Sequence, residues 1–158
     1  MICPTDVSPY PWIGYALQEY GTRAIPGPGV DARVAEYLKV VGLGPDDETP
    51  WCSAFANWCM KQSGIPGTGS GSARSWLMWN QARECLANPV WGCVTILWRE
   101  KRNSWKGHVG FYVGRVGTKI FLLGGNQDDN RVSCAEFHID RVLGYRWPLR
   151  LPLPNSPI

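Results

Sequence analysis

The chain has 158 residues, of which 44% are hydrophobic and 18% charged, with a formal net charge of +3. This composition excludes an intrinsically disordered chain and is typical of one globular domain. No stretch approaches the roughly 18 apolar residues of a membrane span, and residues 1–11 lack the basic start and apolar run of a signal peptide. The basic residues are scattered and no nucleic-acid-binding motif accompanies them, so we expect neither membrane insertion nor nucleic-acid binding.

The first half of the chain predicts helices. Apolar residues recur with helical spacing, and glycines stand where the first two helices should end. The third helix has the clearest signals, because Thr49 suits an N-cap, Pro50 suits the first helical position and Gly64 suits a C-terminal cap. The predicted helices cover residues 11–20, 31–41, 50–63 and 73–82.

The second half of the chain predicts strands. Short segments rich in β-branched and aromatic residues are separated by glycine or by charged turns. The predicted strands cover residues 94–98, 109–113, 119–123, 131–137 and 143–147. Helices followed by an antiparallel sheet make an α+β fold. We expect a single domain over residues 1–158, with its core at about 10–148 and a proline-rich tail at 149–158.

Cys52 is predicted to lie in the first turn of the third helix. The dipole and free N–H groups at a helix start favour a negative charge. Such a position can lower the pKa of a thiol from about 8.5 into the range of roughly 3.5–7.5, especially beside a histidine. Cys59 lies on the same face in mid-helix, where the dipole offers little, and we interpret it as a core residue. Cys52 is therefore the candidate nucleophile.

The candidate base is His108. It opens a strand of alternating residues and follows the flexible Gly107, so its side chain can face a cleft at the strand end. The other histidine of the chain, His138, is expected at the surface. With only two histidines and no CxxC pair among the six cysteines, we expect no metal site.

A cysteine–histidine pair needs a third group that holds the imidazole in the right tautomer. If the hairpin turn centres on residues 116–117, His108 faces a position near residue 125 across the ladder. We choose Asn126 as the orienting residue, with Gln127 and Asp128 as near alternatives. A slip of one residue in the pairing would change this choice.

Blocks of the sequence resemble small CHAP-like proteins, a family of cysteine, histidine-dependent amidohydrolases and peptidases. The blocks follow the order expected for that family and span residues 10–148. They are TPWCSAFANW at 49–58, ARSWL at 73–77, GHVGFYV at 107–113, LGGNQ at 123–127 and GYRWP at 144–148.

The resemblance implies a papain-like fold of the CHAP type, with N-terminal helices packed on a C-terminal antiparallel sheet. It assigns Cys52, His108 and Asn126 to the catalytic roles and requires no cofactor. We also expect Trp51 and Gln127 to contact the substrate.

One position departs from the family pattern. Cys93 stands where such proteins usually have an aspartate at the start of a strand. That aspartate is neither nucleophile nor base, so the departure does not exclude activity. A disulfide between Cys85 and Cys93 is the role we expect for it, and would suit an oxidising compartment.

The same resemblance implies that the chain is a peptidoglycan hydrolase that cuts an amide bond of the cell-wall peptide. Two settings stay open, namely an antibacterial amidase effector injected by a type VI secretion machine and a phage endolysin. An effector would be expected to have an immunity protein that occludes its active site. In either setting we expect a monomer, made in the cytoplasm, that acts in the periplasm. The alternative function is a catalytically inactive cell-wall-binding module.

Overall fold

The computed structural model describes residues 10–27, 29–46, 48–85 and 88–154. The helices are α1 (Pro11–Gln18), α2 (Ala32–Val40) and α3 (Cys52–Gln62), with short 3₁₀ helices at Ala73–Met78 and Ile139–Arg141. The strands are β1 (Ala82–Glu84), β2 (Val94–Trp98), β3 (Gly107–Val116), β4 (Lys119–Gln127), β5 (Arg131–His138) and β6 (Val142–Pro148). Residues 1–9 and the last four residues of the predicted tail lie outside the described residues. No helix in the described ranges is long and apolar enough to cross a membrane.

Local signals explain where the first two helices start. Pro11 lies in the first turn of α1, where its missing N–H group leaves no helical hydrogen bond unmade. Asp31 is the N-cap of α2, and its carboxylate accepts hydrogen bonds from the backbone N–H groups of Arg33 and Val34. Both helices start within one residue of their predicted positions.

The six strands form one antiparallel sheet in the order β1-β6-β2-β3-β4-β5. Strands β2 to β6 correspond to the five predicted strands. β1 was not predicted, because it is only three residues long and it falls at the end of the predicted fourth helix, of which only Ala73–Met78 is helical. Since α1, α2 and α3 all precede the sheet along the chain, the predicted α+β order is observed.

α3 is the central helix of the core. Its residues from Cys52 to Met60 are all buried, and it packs against α1, α2, β3 and β4. β4 approaches the helix closely at Gly125, where an added Cβ atom would lie 2.7 Å from side-chain atoms of both Phe55 and Trp51. This close approach holds the start of α3 against the β3–β4 strands.

α3 starts two residues later than predicted. Trp51 is the N-cap, without a capping side-chain bond, and Cys52 is the first helical residue. Thr49, the predicted N-cap, belongs instead to a turn before the helix. Its hydroxyl donates to Asp46 Oδ2 at 3.3 Å and its N–H group donates to the Asp46 carbonyl at 3.1 Å. Cys52 therefore lies even nearer to the helix start than the sequence predicts.

The expected disulfide between Cys85 and Cys93 is wrong, because both residues are free thiols. Cys85 follows β1 and Cys93 precedes β2, and β6 lies between these two strands. Two strand spacings of about 4.8 Å separate such positions by about 10 Å, which is more than the Cα–Cα distance that a disulfide spans. Cys134, in β5, is disulfide-bonded.

Candidate active site

Helix α3 presents Cys52 at its very start. The residue is 5% exposed, and its exposed edge lines a cleft. The N–H group of Phe55 donates to the Trp51 carbonyl at 2.9 Å, which is the first α-helical hydrogen bond. The N–H groups that precede Phe55 in this turn therefore have no intrahelical acceptor. Together with the helix dipole, they favour negative charge at the thiol.

Strand β3 brings His108 to the same cleft. His108 is the second residue of the strand, lies opposite Leu97 of β2 and is 8% exposed. Its ring centroid lies 5.2 Å from that of Phe137, which fixes one side of the imidazole. His138 lies at the surface, where its Nδ1 accepts a hydrogen bond from the backbone N–H group of Asp140. Of the two histidines, His108 alone lines the cleft with Cys52.

Cys52 and His108 line the same cleft, close enough for each side chain to shift the pKa of the other. Burial alone would raise the pKa of Cys52. The charge and hydrogen bonding of His108, together with the backbone N–H groups of Val109 and Ser53, outweigh burial. The pKa of Cys52 therefore lies below that of an ordinary thiol. Burial alone would lower the pKa of His108, but Cys52 and then Gln127 raise it above its ordinary value. These opposite shifts favour a thiolate–imidazolium pair.

Gln127 holds the other side of the imidazole. Its Nε2 group donates to the backbone carbonyls of Leu122 at 3.0 Å and Ser133 at 2.8 Å. Both amide protons are thus used, so Oε1 must be the atom that faces His108 Nε2, at 2.8 Å. Oε1 can only accept, and His108 Nε2 therefore carries a proton. Nδ1 of His108 is left to exchange a proton with Cys52.

Asn126, the predicted orienting residue, lines the cleft but makes no hydrogen bond to His108 among the described residues. A β-bulge explains the difference. The pairs Gly124↔Ser133 and Gln127↔Arg131 leave one extra residue on β4, and Asn126 takes a positive φ of 57° there. The extra residue reverses the alternation of side chains, so Gln127 and not Asn126 shares a face with Gly124.

Of the two expected substrate contacts, Trp51 is wrong and Gln127, which lines the cleft, stays a prediction. Trp51 is fully buried and stacks on Tyr37, with ring centroids 5.7 Å apart, so it supports the start of α3 from within the core. Gln127 is 5% exposed and its amide is occupied by contacts inside the protein. This geometry supports a positioning role for Gln127.

The cleft has a volume of about 280 Å³ and a charged lining. Besides Cys52 and His108 its walls include two arginines and two acids, which are Arg99, Arg141, Asp128 and Glu136. Neither arginine was predicted at the site, because Arg99 lies close to Lys101 and Arg102 in a segment typical of a surface, and Arg141 belongs to no motif. No group of three or more His, Cys, Asp or Glu within the described ranges is arranged to hold a metal ion.

No protein-family model matches the chain, and no curated protein matches its sequence. Solved structures do resemble it. A protein from Staphylococcus aureus subsp. aureus Mu50, described as similar to lipoprotein, NLP/P60 family, aligns with a TM-score of 0.52 and 15% identity over 90% of this chain and 43% of that chain. The wild-type endolysin LysIME-EF1 aligns with a TM-score of 0.50 and 18% identity over 76% of this chain and 65% of that chain.

These likenesses concern the fold. The chain covers less than two thirds of the length of either protein. At such low identity, the shared feature is the arrangement of helices and antiparallel sheet. The predicted papain-like α+β fold is confirmed.

Proposed function

We propose that this chain is a cysteine hydrolase that cleaves an amide bond of the peptidoglycan peptide, with Cys52 as nucleophile and His108 as base. The observation that carries the proposal is the contact between a thiol at a helix start and a buried imidazole whose far nitrogen is fixed by Gln127. This arrangement provides the nucleophile, the base and the orienting group of a cysteine hydrolase. Gln127 takes the role that the sequence analysis gave to Asn126.

The geometry supports a two-step acyl transfer. The Cys52 thiolate attacks the amide carbonyl carbon, and a backbone N–H group of the first turn of α3 stabilises the oxyanion. The His108 imidazolium gives its proton to the leaving amine, which breaks the C–N bond and leaves a thioester. Water then attacks the thioester as His108 takes up its proton, and the thiolate is restored.

Peptidoglycan is supported as the substrate by a likeness in sequence and a likeness in fold. The sequence blocks around Cys52 and His108 resemble CHAP-like proteins, and the similar folds are those of an NLP/P60 family lipoprotein and an endolysin. A catalytically inactive wall-binding module is the weaker alternative, because the nucleophile, the base and the positioning amide are all present in contact.

The proposed substrate is compatible with two biological settings. The chain would act as a monomer on the wall in the periplasm, as an injected effector or as an endolysin. In the effector setting, an immunity protein would be expected to cover the cleft that holds Cys52 and His108.

Digestion of purified peptidoglycan tests the proposal. The wild-type protein is expected to release soluble muropeptides with one new amino group for each bond cut. Cys52→Ala should lower the rate at least about 10³-fold, because the covalent pathway is lost. Cys59→Ala is the matched control, since that thiol is buried in mid-helix and does not line the cleft.

The products distinguish the possible failures. New reducing sugar ends without new amino groups would identify a glycosidase and contradict the amide mechanism. Wild-type digestion by Cys52→Ala would contradict the role of the thiol.

Expression in a Gram-negative host tests the setting. The protein should be tolerated in the cytoplasm and should cause rounding and lysis when fused to a periplasmic signal peptide. Lysis should disappear with Cys52→Ala, whereas an inert binding module would show no dependence on this residue.

A further inference from the structure

Two arginines stand beside the catalytic pair without acidic partners. Arg99 follows β2 and Arg141 ends the second 3₁₀ helix, and both line the cleft with Cys52 and His108. Within the described ranges no Asp or Glu forms an ion pair with either guanidinium. Both guanidinium groups therefore keep donor groups that a ligand in the cleft can use.

The acids of the cleft are already engaged elsewhere. Glu136 lies 3.2 Å from the Nζ atom of Lys119. Asp128 accepts a hydrogen bond of 2.8 Å from the Ser133 hydroxyl. Neither carboxylate forms a salt bridge with an arginine of the cleft, so these acids do not occupy the donor groups of Arg99 and Arg141.

Arg141 is held in a fixed orientation. Its Nε group donates to the Trp98 carbonyl at 3.1 Å. The guanidinium carbon lies 5.3 Å from the ring centroid of Phe137 and 6.0 Å from that of Trp98. No described residue accepts a hydrogen bond from its two Nη groups. That edge of the guanidinium is the one that can bind a carboxylate with two parallel hydrogen bonds.

Arg99 adds a second donor nearby. Its Nε atom is buried and has no hydrogen-bond partner, and a buried donor of this kind is costly unless a ligand satisfies it. The guanidinium of Arg99 is close enough to that of Arg141 for its charge, after burial, to lower the pKa of Arg141. Because both arginines also line the same cleft, one anion bound there can lie beside both.

We propose that Arg99 and Arg141 bind a carboxylate of the substrate next to the amide bond that Cys52 attacks. This inference rests on the proposed function and narrows its substrate class to acidic peptides. The cell-wall peptide can supply the group, because its glutamate continues the chain through the γ-carboxyl and keeps a free α-carboxylate.

The arginines also couple recognition to catalysis. The charge of Arg141 acts, after burial and the contacts with Cys52 and Gln127, to lower the pKa of His108. A bound carboxylate offsets this charge and so favours the imidazolium that gives its proton to the leaving amine. A substrate without the carboxylate would leave the repulsion between Arg141 and the His108 imidazolium in place.

Binding to the Cys52→Ala protein tests the inference without turnover. The probes are the tripeptide L-alanyl-γ-D-glutamyl-diaminopimelate and the same peptide with its glutamate α-carboxylate converted to an amide. We expect the acid to bind about 10- to 100-fold more tightly than the amide, since a charge-assisted bidentate contact is lost. Arg141→Gln and Arg99→Gln, each added to Cys52→Ala, should remove most of this preference.

Arg102→Gln is the matched control, because Arg102 is exposed on the same loop as Arg99 and does not line the cleft. It should keep the full preference. Equal binding of the two peptides, or a preference that survives both cleft substitutions, would overturn the inference. So would displacement of the peptide by inorganic phosphate at equal concentration, which would reveal an unselective anion site.

Turnover of the same two peptides separates this inference from the proposed function. If the wild-type protein cleaves both peptides at equal kcat/KM and binding shows no preference, the hydrolase proposal stands and the carboxylate site fails. If neither peptide nor peptidoglycan is cleaved but the preference in binding depends on Arg141, the hydrolase proposal fails and the carboxylate site stands.

Discussion

Helix α3 carries two buried cysteines whose pKa values are shifted in opposite directions. Cys59, two turns into the helix, is fully buried, and burial followed by the charge of Glu19 raises its pKa well above that of an ordinary thiol. Cys52 is also buried, yet His108 and two backbone N–H groups lower its pKa. Burial alone therefore makes a thiol inert, and a partner at the helix start makes it reactive.

The difference lies in what surrounds each sulfur. The thiol of Cys59 lies among core side chains and no imidazole faces it. The thiol of Cys52 faces His108, which Gln127 orients from the far side. Substitutions that disturb the contacts around Cys52 should change the reactivity of Cys52 and leave that of Cys59 unchanged.

Removal of the Gln127 amide should have the largest effect of the changes beyond the catalytic pair. Gln127→Ala is expected to lower kcat about 10- to 100-fold, because His108 loses the acceptor that fixes its tautomer. Asn126→Ala is the matched control next to it and should stay within about threefold of wild type, since Asn126 makes no hydrogen bond to the ring. Peptidoglycan digestion with equal amounts of folded protein measures both.

The reverse order of effects would show that Asn126 orients the imidazole during catalysis. Alkylation of Cys52 in the same two variants gives a second measure. Its rate near neutral pH should fall in Gln127→Ala and not in Asn126→Ala.

Gly125 tests the spacing between β4 and α3. A methyl group at this position would collide with Phe55 and Trp51, so Gly125→Ala should destabilise the fold by about 1–3 kcal/mol. It should also lower activity, because Gln127 follows on the same strand. Gly14→Ala is the matched control in α1, where nothing lies within 4 Å, and it should raise stability by about 0.5–1 kcal/mol.

Urea denaturation of both variants measures these changes. An unchanged midpoint for Gly125→Ala would mean that the helix start is not held by close contact with β4.

The location of Cys52 and His108 in one cleft could be predicted from the sequence, because each residue follows from a local pattern. Cys52 sits near signals that start a helix, and His108 opens an alternating strand. Cys59 was predicted as a core residue from its mid-helix position, and its full burial confirms this. Local sequence patterns are enough to predict the position of a side chain when that position depends on a single helix or strand.

The positioning residue could not be chosen in this way. The β3–β4 turn lies at residues 117–118, since Val116 pairs with Lys119, and the pairing shifts again between Tyr112 and Gly114. A further bulge lies near Asn126. Each irregularity changes which residue faces His108, and no local sequence signal fixes their combined effect. The Cys85–Cys93 expectation failed for a related reason, because the order of the strands puts β6 between them.

The pH dependence of alkylation at Cys52 tests the central claim most directly. A lowered pKa keeps the thiol deprotonated below its ordinary pKa of about 8.5, so the iodoacetamide rate should reach half its plateau below that pH. His108→Ala removes the lowering contributions of the imidazole and leaves burial opposed by the N–H groups of Val109 and Ser53, so the midpoint should rise. Peptide mapping by mass spectrometry distinguishes Cys52 from Cys59, which should stay unmodified in the folded protein. A midpoint at or above 8.5 in the wild type, or one that His108→Ala does not move, would contradict the thiolate–imidazolium pair.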